Sequence, residues 1–228
     1  MERKWLVLIL AIGLLYWWTR TPNYIDEATQ ITLNYHIRYP AGGSAGDYLP
    51  IIIALHGNGD TYSNFYDFTL KDLATPARVI LLEAPNKYWP YDPRELAQYS
   101  SAIASFSQHM GVKFSTYTKP MLLGFSGGGV MAYYSALTHC DSYSAIVPIS
   151  GMLRTNMAPK KITMDNSCTV MAFHGTKDNV VGFSSGEYAI NELKKYSSDV
   201  ILTSFDAGHH GLAFEFKHMI LGEVGKKL

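Results

Sequence analysis

Residues 122–134 read LLGFSGGGVMAYY: an apolar run ends at a serine, three glycines follow, and the remainder is typical of a helix. Gly124, Ser126 and Gly128 spell G-x-S-x-G at this junction. Small residues on both sides of the serine let a strand and a helix pack closely through a sharp turn, which exposes the hydroxyl above the sheet. The free N–H groups of the helix N-terminus lie behind it. The stretch therefore predicts a strand–turn–helix whose serine is either a nucleophile or only a helix cap.

Apolar runs recur along the chain and alternate with longer segments of helical character. The runs are LPIIIALHG, ARVILLEAP, KPMLLGFS, SAIVPISG, CTVMAFHG and DVILTSFD. Such alternation predicts an α/β fold, a mostly parallel central sheet with helices on both faces. Residues 30–40, QITLNYHIRYP, alternate apolar and polar side chains and predict a half-buried edge strand. The longest irregular segment, 152–167, is too short for a large lid domain.

Length and charge restrict the class of protein. The chain has 228 residues, which is enough for one domain with a substantial core. Lysines and arginines together number 19, as do aspartates and glutamates, so the formal net charge is zero. Because no basic stripe is present, a nucleic-acid partner is not expected. The composition carries no prediction of oligomeric state.

The first twenty residues, MERKWLVLILAIGLLYWWTR, differ from the remainder. Two cations precede an unbroken apolar run from Trp5 to Trp18, the pattern of a secretory signal. As a helix this run reaches only about 21 Å, whereas a bilayer core is about 30 Å thick. The bulky YWW at its end argues against cleavage and suits a membrane interface. We predict an uncleaved membrane anchor over 1–20, with a cleaved signal as the alternative. The domain of residues 21–228 is then expected outside the cytoplasm, attached to the membrane by the anchor, or periplasmic or secreted if the segment is cleaved.

Partners for the serine follow two later apolar runs. Asp178 follows the run in MAFHGTKDNVV, and His209 and His210 follow the run in VILTSFDAGHHG. A serine hydroxyl is a weak nucleophile unless a base takes its proton and an acid orients that base. The order serine, acid, histidine is the one expected for G-x-S-x-G in such a sheet. We predict a triad of Ser126, Asp178 and His209, with His210 as the alternative base and Asp206 as a rival acid.

A nucleophile of this kind also needs N–H donors for the oxyanion of its intermediate. The backbone N–H of Gly127 is one predicted donor, and the N–H of Asn58, in LHGNGDT, is the second. His56 and His174 are interpreted as structural residues. Adjacent histidines point apart and no H-x-H or H-E-x-x-H accompanies them, so neither a metal nor an organic cofactor is expected. Four aromatic residues on loops at this end are candidates for a substrate pocket or for surface packing: Tyr62, Tyr88, Trp89 and Phe183.

Four blocks together resemble the α/β-hydrolase superfamily: LHGNGDT, GFSGGG, HGTKDNVV and GHHG. HGNGDT and GFSGGG are similar to the carboxylesterase and acyl-protein thioesterase group, although that group usually carries glutamine where Gly127 stands. GGVMAYYSALTHCDSYSAIVPISG and CTVMAFHGTKDNVV resemble the polyhydroxybutyrate-depolymerase and feruloyl-esterase-like group. Since a cysteine pair at corresponding places in that second group can form a disulfide, the resemblance implies a Cys140–Cys168 bridge.

The expected activity is that of a serine hydrolase. The triad and the resemblance predict cleavage of carboxylic esters through an acyl-enzyme intermediate, on small or surface-presented esters because no large lid is expected. An acyl-thioesterase or a peptidase could use the same triad. In a different class, the chain would be a catalytically inactive, membrane-anchored binding module.

Overall fold

The computed structural model describes residues 21–228, which contain one eight-stranded sheet. Its strands are β1 (Asn23–Ile25), β2 (Thr32–Arg38), β3 (Ile51–Leu55), β4 (Arg78–Leu82), β5 (Met121–Phe125), β6 (Ala145–Ile149), β7 (Thr169–Gly175) and β8 (Val200–Phe205). The spatial order is β1-β2-β4-β3-β5-β6-β7-β8. β1 and β2 run antiparallel to their neighbours, and every pair from β4 to β8 is parallel. The predicted α/β fold with a mostly parallel sheet is confirmed.

Within residues 21–228, six α-helices accompany the sheet. They are α1 (Tyr62–Phe68), α2 (Pro93–Lys113), α3 (Gly127–His139), α4 (Phe183–Leu193), α5 (Gly211–Phe214) and α6 (Lys217–Gly225). Asp92 caps α2, because its Oδ1 accepts the backbone N–H groups of Arg94 and Glu95 at 2.9 and 3.2 Å. Residues 152–167 hold only the short 3-10 turn Thr155–Met157, and no large lid is found in the described part of the chain.

The core has two halves, one on each face of the sheet. All residues of the five strands β3 to β7 are buried, and successive side chains enter opposite halves. In β3, for example, Ile51 and Ile53 enter one half and Ile52 the other. Helices α2, α3 and α4 cover the first half, and α1, α5 and α6 cover the second. Parallel strands covered on both faces have such near-continuous apolar sequences.

The position predicted for β2 in the sheet was wrong. The alternating segment does form a strand, but the short strand β1 pairs with it, so β2 is not at the edge. Only three residues form β1, and Tyr24 anchors it by packing edge-on against Phe106 of α2 with ring centroids 5.4 Å apart. A strand this short has too little alternation to be recognised in the sequence.

Within residues 21–228, no helix is both long and apolar enough to cross a membrane. The predicted anchor over residues 1–20 lies outside the described residues.

Cys140 and Cys168 form a disulfide, with Cα atoms 5.5 Å apart. Cys140 directly follows α3, and Cys168 directly precedes β7. The bond therefore ties the end of a core helix to the beginning of a central strand. The chain contains no other cysteines.

Replacing Cys140 and Cys168 with alanine should lower the free energy of unfolding by about 3.5 kcal/mol, because the bond closes a loop of 28 residues in the unfolded chain. Urea unfolding with and without dithiothreitol measures the difference. The reductant should destabilise the wild type and leave the double variant unchanged. Equal stability of the oxidised wild type and the variant would contradict this account.

Candidate active site

Ser126 lies in the turn between β5 and α3, in a conformation that few residues other than glycine adopt. Its φ is 53° and its ψ is −112°. Such a conformation costs of order 1–3 kcal/mol and persists only where the surroundings impose it. A Cβ on Gly124 would collide with the carbonyl of Gly128, and a Cβ on Gly128 would collide with the carbonyl of Leu55. The glycines of G-x-S-x-G are therefore required by contact between β5, β3 and α3.

His209 links the serine to a carboxylate. Its Nε2 lies 2.9 Å from Ser126 Oγ, and its Nδ1 lies 2.7 Å from Asp178 Oδ2. The loop after β8 supplies the histidine, and the turn after β7 supplies the aspartate. Since an ionised carboxylate can only accept, Nδ1 carries the proton and Nε2 faces the serine as the acceptor. We call these three residues the Ser–His–Asp chain.

Backbone hydrogen bonds fix the carboxylate end of the Ser–His–Asp chain. Asp178 Oδ1 accepts the N–H groups of Val180 and Val181 at 2.9 and 2.8 Å, and the side chain is fully buried. The imidazole of His174, also buried, donates Nε2–H to the carbonyl of Val181 at 2.8 Å and lies 3.5 Å from Asp178 Oδ2. His174 thus holds the turn that carries the carboxylate, in agreement with its structural interpretation.

Burial dominates the electrostatics of His209. Desolvation of the charged ring lowers the pKa of His209 below its ordinary value of 6.5. The hydrogen bond and the negative charge of Asp178 oppose this effect, while His210 and His174 lower the pKa further. The imidazole is therefore neutral at pH 7 and able to accept a proton.

The alternative base and the rival acid lie elsewhere. His210 is exposed, and its ring is nearly perpendicular to that of His209, with centroids 5.1 Å apart. Asp206 pairs with Lys177 at the surface, 2.9 Å away. The structure therefore places His209 rather than His210 beside Ser126, and Asp178 rather than Asp206 beside His209.

The two predicted oxyanion donors meet next to the serine. The loop after β3 passes so close that a Cβ on Gly57 would lie 3.3 Å from Cβ of Ser126. A Cβ on Gly127 would collide with the side-chain amide of Asn58. Among the described residues, no backbone carbonyl outside the helix and strand ladders accepts from Gly127 N–H or Asn58 N–H. Both N–H groups are therefore available for the donor role predicted for them.

Trp89 holds the loop that carries Asn58. Its backbone N–H donates to Asn58 Oδ1 at 2.7 Å, and its indole Nε1 donates to the carbonyl of His56 at 2.8 Å. His56 is buried, its Nδ1 lies 2.7 Å from the carbonyl of Gly57, and its Nε2 accepts the N–H of Ala84. His56 is therefore structural, as predicted.

The four aromatic residues that were candidates for a substrate pocket or for surface packing do not line the cleft beside Ser126. They are Tyr62, Tyr88, Trp89 and Phe183. Tyr62 stacks on His36 with ring centroids 3.5 Å apart, and Trp89 is only 1% exposed. Phe183 packs edge-on against His174. Tyr88 is exposed, and its hydroxyl lies next to Gly59. Their loops were placed at the correct end of the sheet, but sequence position does not determine which way a loop side chain turns.

Other aromatic residues line this cleft, which has a volume of about 470 Å³. Phe65 and Phe68 come from α1, Phe125 from the end of β5, and Phe214 from α5. Phe68 and Phe214 are each about half exposed and pack edge to face at 5.8 Å. Phe214 follows His210 by four residues, a spacing that indicates one shared helical face and could have identified Phe214 from the sequence. Within residues 21–228, no group of three or more histidine, cysteine or acidic side chains is arranged to hold a metal ion.

Comparisons with known proteins agree with this fold. Residues 97–220 match the sequence model of a family described as phospholipase/carboxylesterase. Acyl-protein thioesterase 1 homolog 2 of Dictyostelium discoideum is 30% identical over 104 residues, which are 43% of this chain and 46% of that protein. The match thus spans about half the length of this relative.

Solved structures extend the similarity over most of the chain. Acyl-protein thioesterase 2 of Zea mays superposes with a TM-score of 0.67 and 20% identity, covering 85% of this chain and 98% of its own. A carboxylesterase of Mesorhizobium loti superposes with a TM-score of 0.69 and 16% identity, covering 89% of this chain and 97% of its own. At sequence identities of 20% and 16%, these superpositions show a shared fold. Because the family's sequence model matches more than half of the residues, the chain belongs to the phospholipase/carboxylesterase family of the α/β-hydrolase superfamily.

Proposed function

We propose that this protein is a serine hydrolase that cleaves carboxylic esters through an acyl-enzyme intermediate. The observation that carries the proposal is the Ser–His–Asp chain, with Ser126 Oγ 2.9 Å from His209 Nε2 and His209 Nδ1 2.7 Å from Asp178 Oδ2. An imidazole held in this way makes a serine hydroxyl nucleophilic. Family membership supports the same reaction class.

The proposed reaction has two halves. Ser126 Oγ attacks the ester carbonyl while His209 Nε2 takes its proton, and the N–H groups of Asn58 and Gly127 stabilise the oxyanion. The C–O bond to the alcohol then breaks, and His209 returns the proton to the leaving oxygen. Water attacks the acyl-enzyme with His209 as base, which releases the carboxylic acid and restores the serine. Asp178 orients the ring and stabilises the imidazolium in both halves.

A thioester is the second candidate substrate. The matched Dictyostelium discoideum and Zea mays proteins are named as acyl-protein thioesterases, and the same residues could expel a thiolate. Peptidase action requires protonation of a poorer leaving group, and no specific contact favours it. Graded acyl chains presented as p-nitrophenyl esters and as matching thioesters would separate ester from thioester preference through kcat/KM.

Labelling by a fluorophosphonate probe tests the proposal directly. Wild-type protein should react at Ser126, and Ser126→Ala should not. Equal labelling of both proteins, or none of wild type, would favour an inactive binding module instead. The oxyanion donors beside the serine support the active enzyme.

The activity should fall in acid as His209 becomes protonated. Because burial lowers the pKa of this ring, kcat/KM should stay high at pH 7 and fall as the pH drops through a midpoint below 6.5. Rates measured from pH 4 to pH 8 give that midpoint. Because His210 lowers the pKa of His209, replacing His210 with alanine should move the midpoint up slightly. A wild-type midpoint above 6.5 would contradict a pKa of His209 lowered by burial.

We also propose that residues 1–20 anchor the enzyme to a membrane with its domain outside the cytoplasm. The apolar run of the sequence and the Cys140–Cys168 disulfide support this location, since disulfides persist mainly in oxidising compartments. The full chain should sediment with membranes and resist carbonate extraction, while a chain lacking residues 1–20 should remain in the supernatant. Sedimentation of both chains alike would argue against the anchor.

A further inference from the structure

A second cleft, of about 820 Å³, lies on the opposite side of the sheet from the cleft beside Ser126. It is lined by the first turns of α2, by the C-terminal half of α3 and by residues 158–163. Helices α2 and α3 cover one half of the core, whereas α1 and α5, which line the catalytic cleft, cover the other. The two clefts share no lining residue. The second cleft therefore requires an explanation separate from the triad.

Positive charge is concentrated around this second cleft. Arg94 lines it from α2, and Lys160 and Lys161 line it from the segment opposite. None of the three takes part in an ion pair among the described residues. The one carboxylate in the lining, Asp92, is engaged by the N-terminal N–H groups of α2. The lining thus has three cationic side chains and one carboxylate, although the whole chain is neutral.

Between these charges the lining is partly apolar, with the polar side chains of Gln98, Thr138, His139 and Thr163 beside the apolar ones. Ala97 and Tyr134 come from the two helices, and Ala158 and Pro159 from the facing segment. Tyr134 is only 2% exposed, so its ring forms a fixed part of the wall. A cleft of 300–1,000 Å³ with apolar walls and a few charged groups is typical of a site for a small organic molecule.

We propose that this second cleft binds an organic anion, consisting of a carboxylate or phosphate head on a short apolar body. Arg94 offers a planar fork to the head, and the two lysines add point charges from the other wall. The apolar body lies against Ala97, Pro159 and the ring of Tyr134. The proposal does not depend on the esterase activity, because no residue of the Ser–His–Asp chain contributes.

Photo-crosslinking tests this binding site. The full chain, in nanodiscs of neutral phosphatidylcholine, is illuminated with an octanoate that carries a diazirine, and labelled peptides are mapped by mass spectrometry. The matched probe is the corresponding diazirine octanol, which has the same body without charge. We expect saturable labelling of peptides that contain Ala97 or Pro159 by the carboxylate and little by the alcohol. Unlabelled octanoate should compete, and acetate should compete far less.

Variants connect the labelling to the charges. The double variant Lys160→Ala/Lys161→Ala should weaken octanoate binding about tenfold or more. Each lost charge contact is expected to lower the affinity a few-fold, and the two losses multiply. Lys226→Ala/Lys227→Ala removes a similar exposed pair elsewhere and should have no effect. Lys160→Arg/Lys161→Arg should retain binding, which distinguishes loss of charge from loss of folding.

Three results would overturn the proposal. One is equal labelling by the octanol probe, and another is labelling that the alanine pair does not weaken. The third is labelling abolished by anionic-lipid nanodiscs but not by free octanoate, which would identify a membrane surface as the ligand. Turnover of a small p-nitrophenyl ester, measured on the same variants, should not change. If turnover fell while octanoate labelling stayed the same, the result would bear on the esterase proposal and not on this site.

Discussion

Replacing Ser126 with alanine should lower kcat for a p-nitrophenyl ester by about a million-fold, to a residual rate given by the oxyanion donors and by substrate binding alone. No other hydroxyl is placed to substitute, because the side chain that contacts His209 Nε2 among the described residues is that of Ser126. KM should change little, since the substituted atom bonds to the substrate only as the reaction proceeds.

The same mechanism predicts that losses at the triad do not add. His209→Ala should cost about as much as Ser126→Ala, and the double variant little more, because the hydroxyl and its base act as one unit. The matched control is His210→Ala, which removes the neighbouring exposed imidazole and should retain most of the activity. A loss at His210 as large as that at His209 would show that the base has been assigned incorrectly.

Replacing Asp178 with asparagine should lower kcat by about ten-thousand-fold without unfolding the protein. The carboxylate accepts at both oxygens, from the Val180 and Val181 N–H groups at Oδ1 and from His209 at Oδ2. An amide keeps its carbonyl oxygen for the two backbone donors and therefore turns its NH₂ toward Nδ1. The imidazole must then carry its proton on Nε2, where it cannot accept from Ser126.

A pH series at constant substrate concentration provides the measurement for Asp178→Asn. The matched control is Asp206→Asn, which removes only a surface ion pair with Lys177 and should behave like wild type. Thermal unfolding should show that both variants are folded. If Asp178→Asn retained activity within tenfold of wild type, the carboxylate would not be orienting His209.

The sequence predicted the parts of the site that depend on position along a strand. Ser126, Asp178 and His209 each follow an apolar run, and parallel strands bring such residues to one edge of the sheet. The glycines at 124 and 128 were predictable because the close contact of strand and helix leaves no room for a Cβ. The sequence favoured His209 over its neighbour His210 as the base, and the structure places the ring of His209 beside Ser126.

Side-chain direction in loops was not predictable. Trp89 was a candidate either for a substrate pocket or for surface packing, and its indole turns inward to the carbonyl of His56 and supports the loop of Asn58. Phe68 and Phe214, which do line the cleft, come from two short helices that are far apart in the sequence. Their meeting depends on how α1 and α5 pack on one face of the sheet, which no local pattern encodes. The disulfide was implied only by resemblance and not by the spacing of the cysteines.

Covalent trapping of the intermediate tests the central proposal most directly. The protein, residues 1–228, mixed rapidly with p-nitrophenyl butyrate and quenched in acid should release a burst of about one p-nitrophenolate per molecule if deacylation is the slower step. Peptide mapping should then find one butyryl group on Ser126. This adduct should form in wild type and be absent from Ser126→Ala. Turnover without an acyl group on Ser126 at any quench time, together with undiminished turnover by Ser126→Ala, would contradict the central proposal.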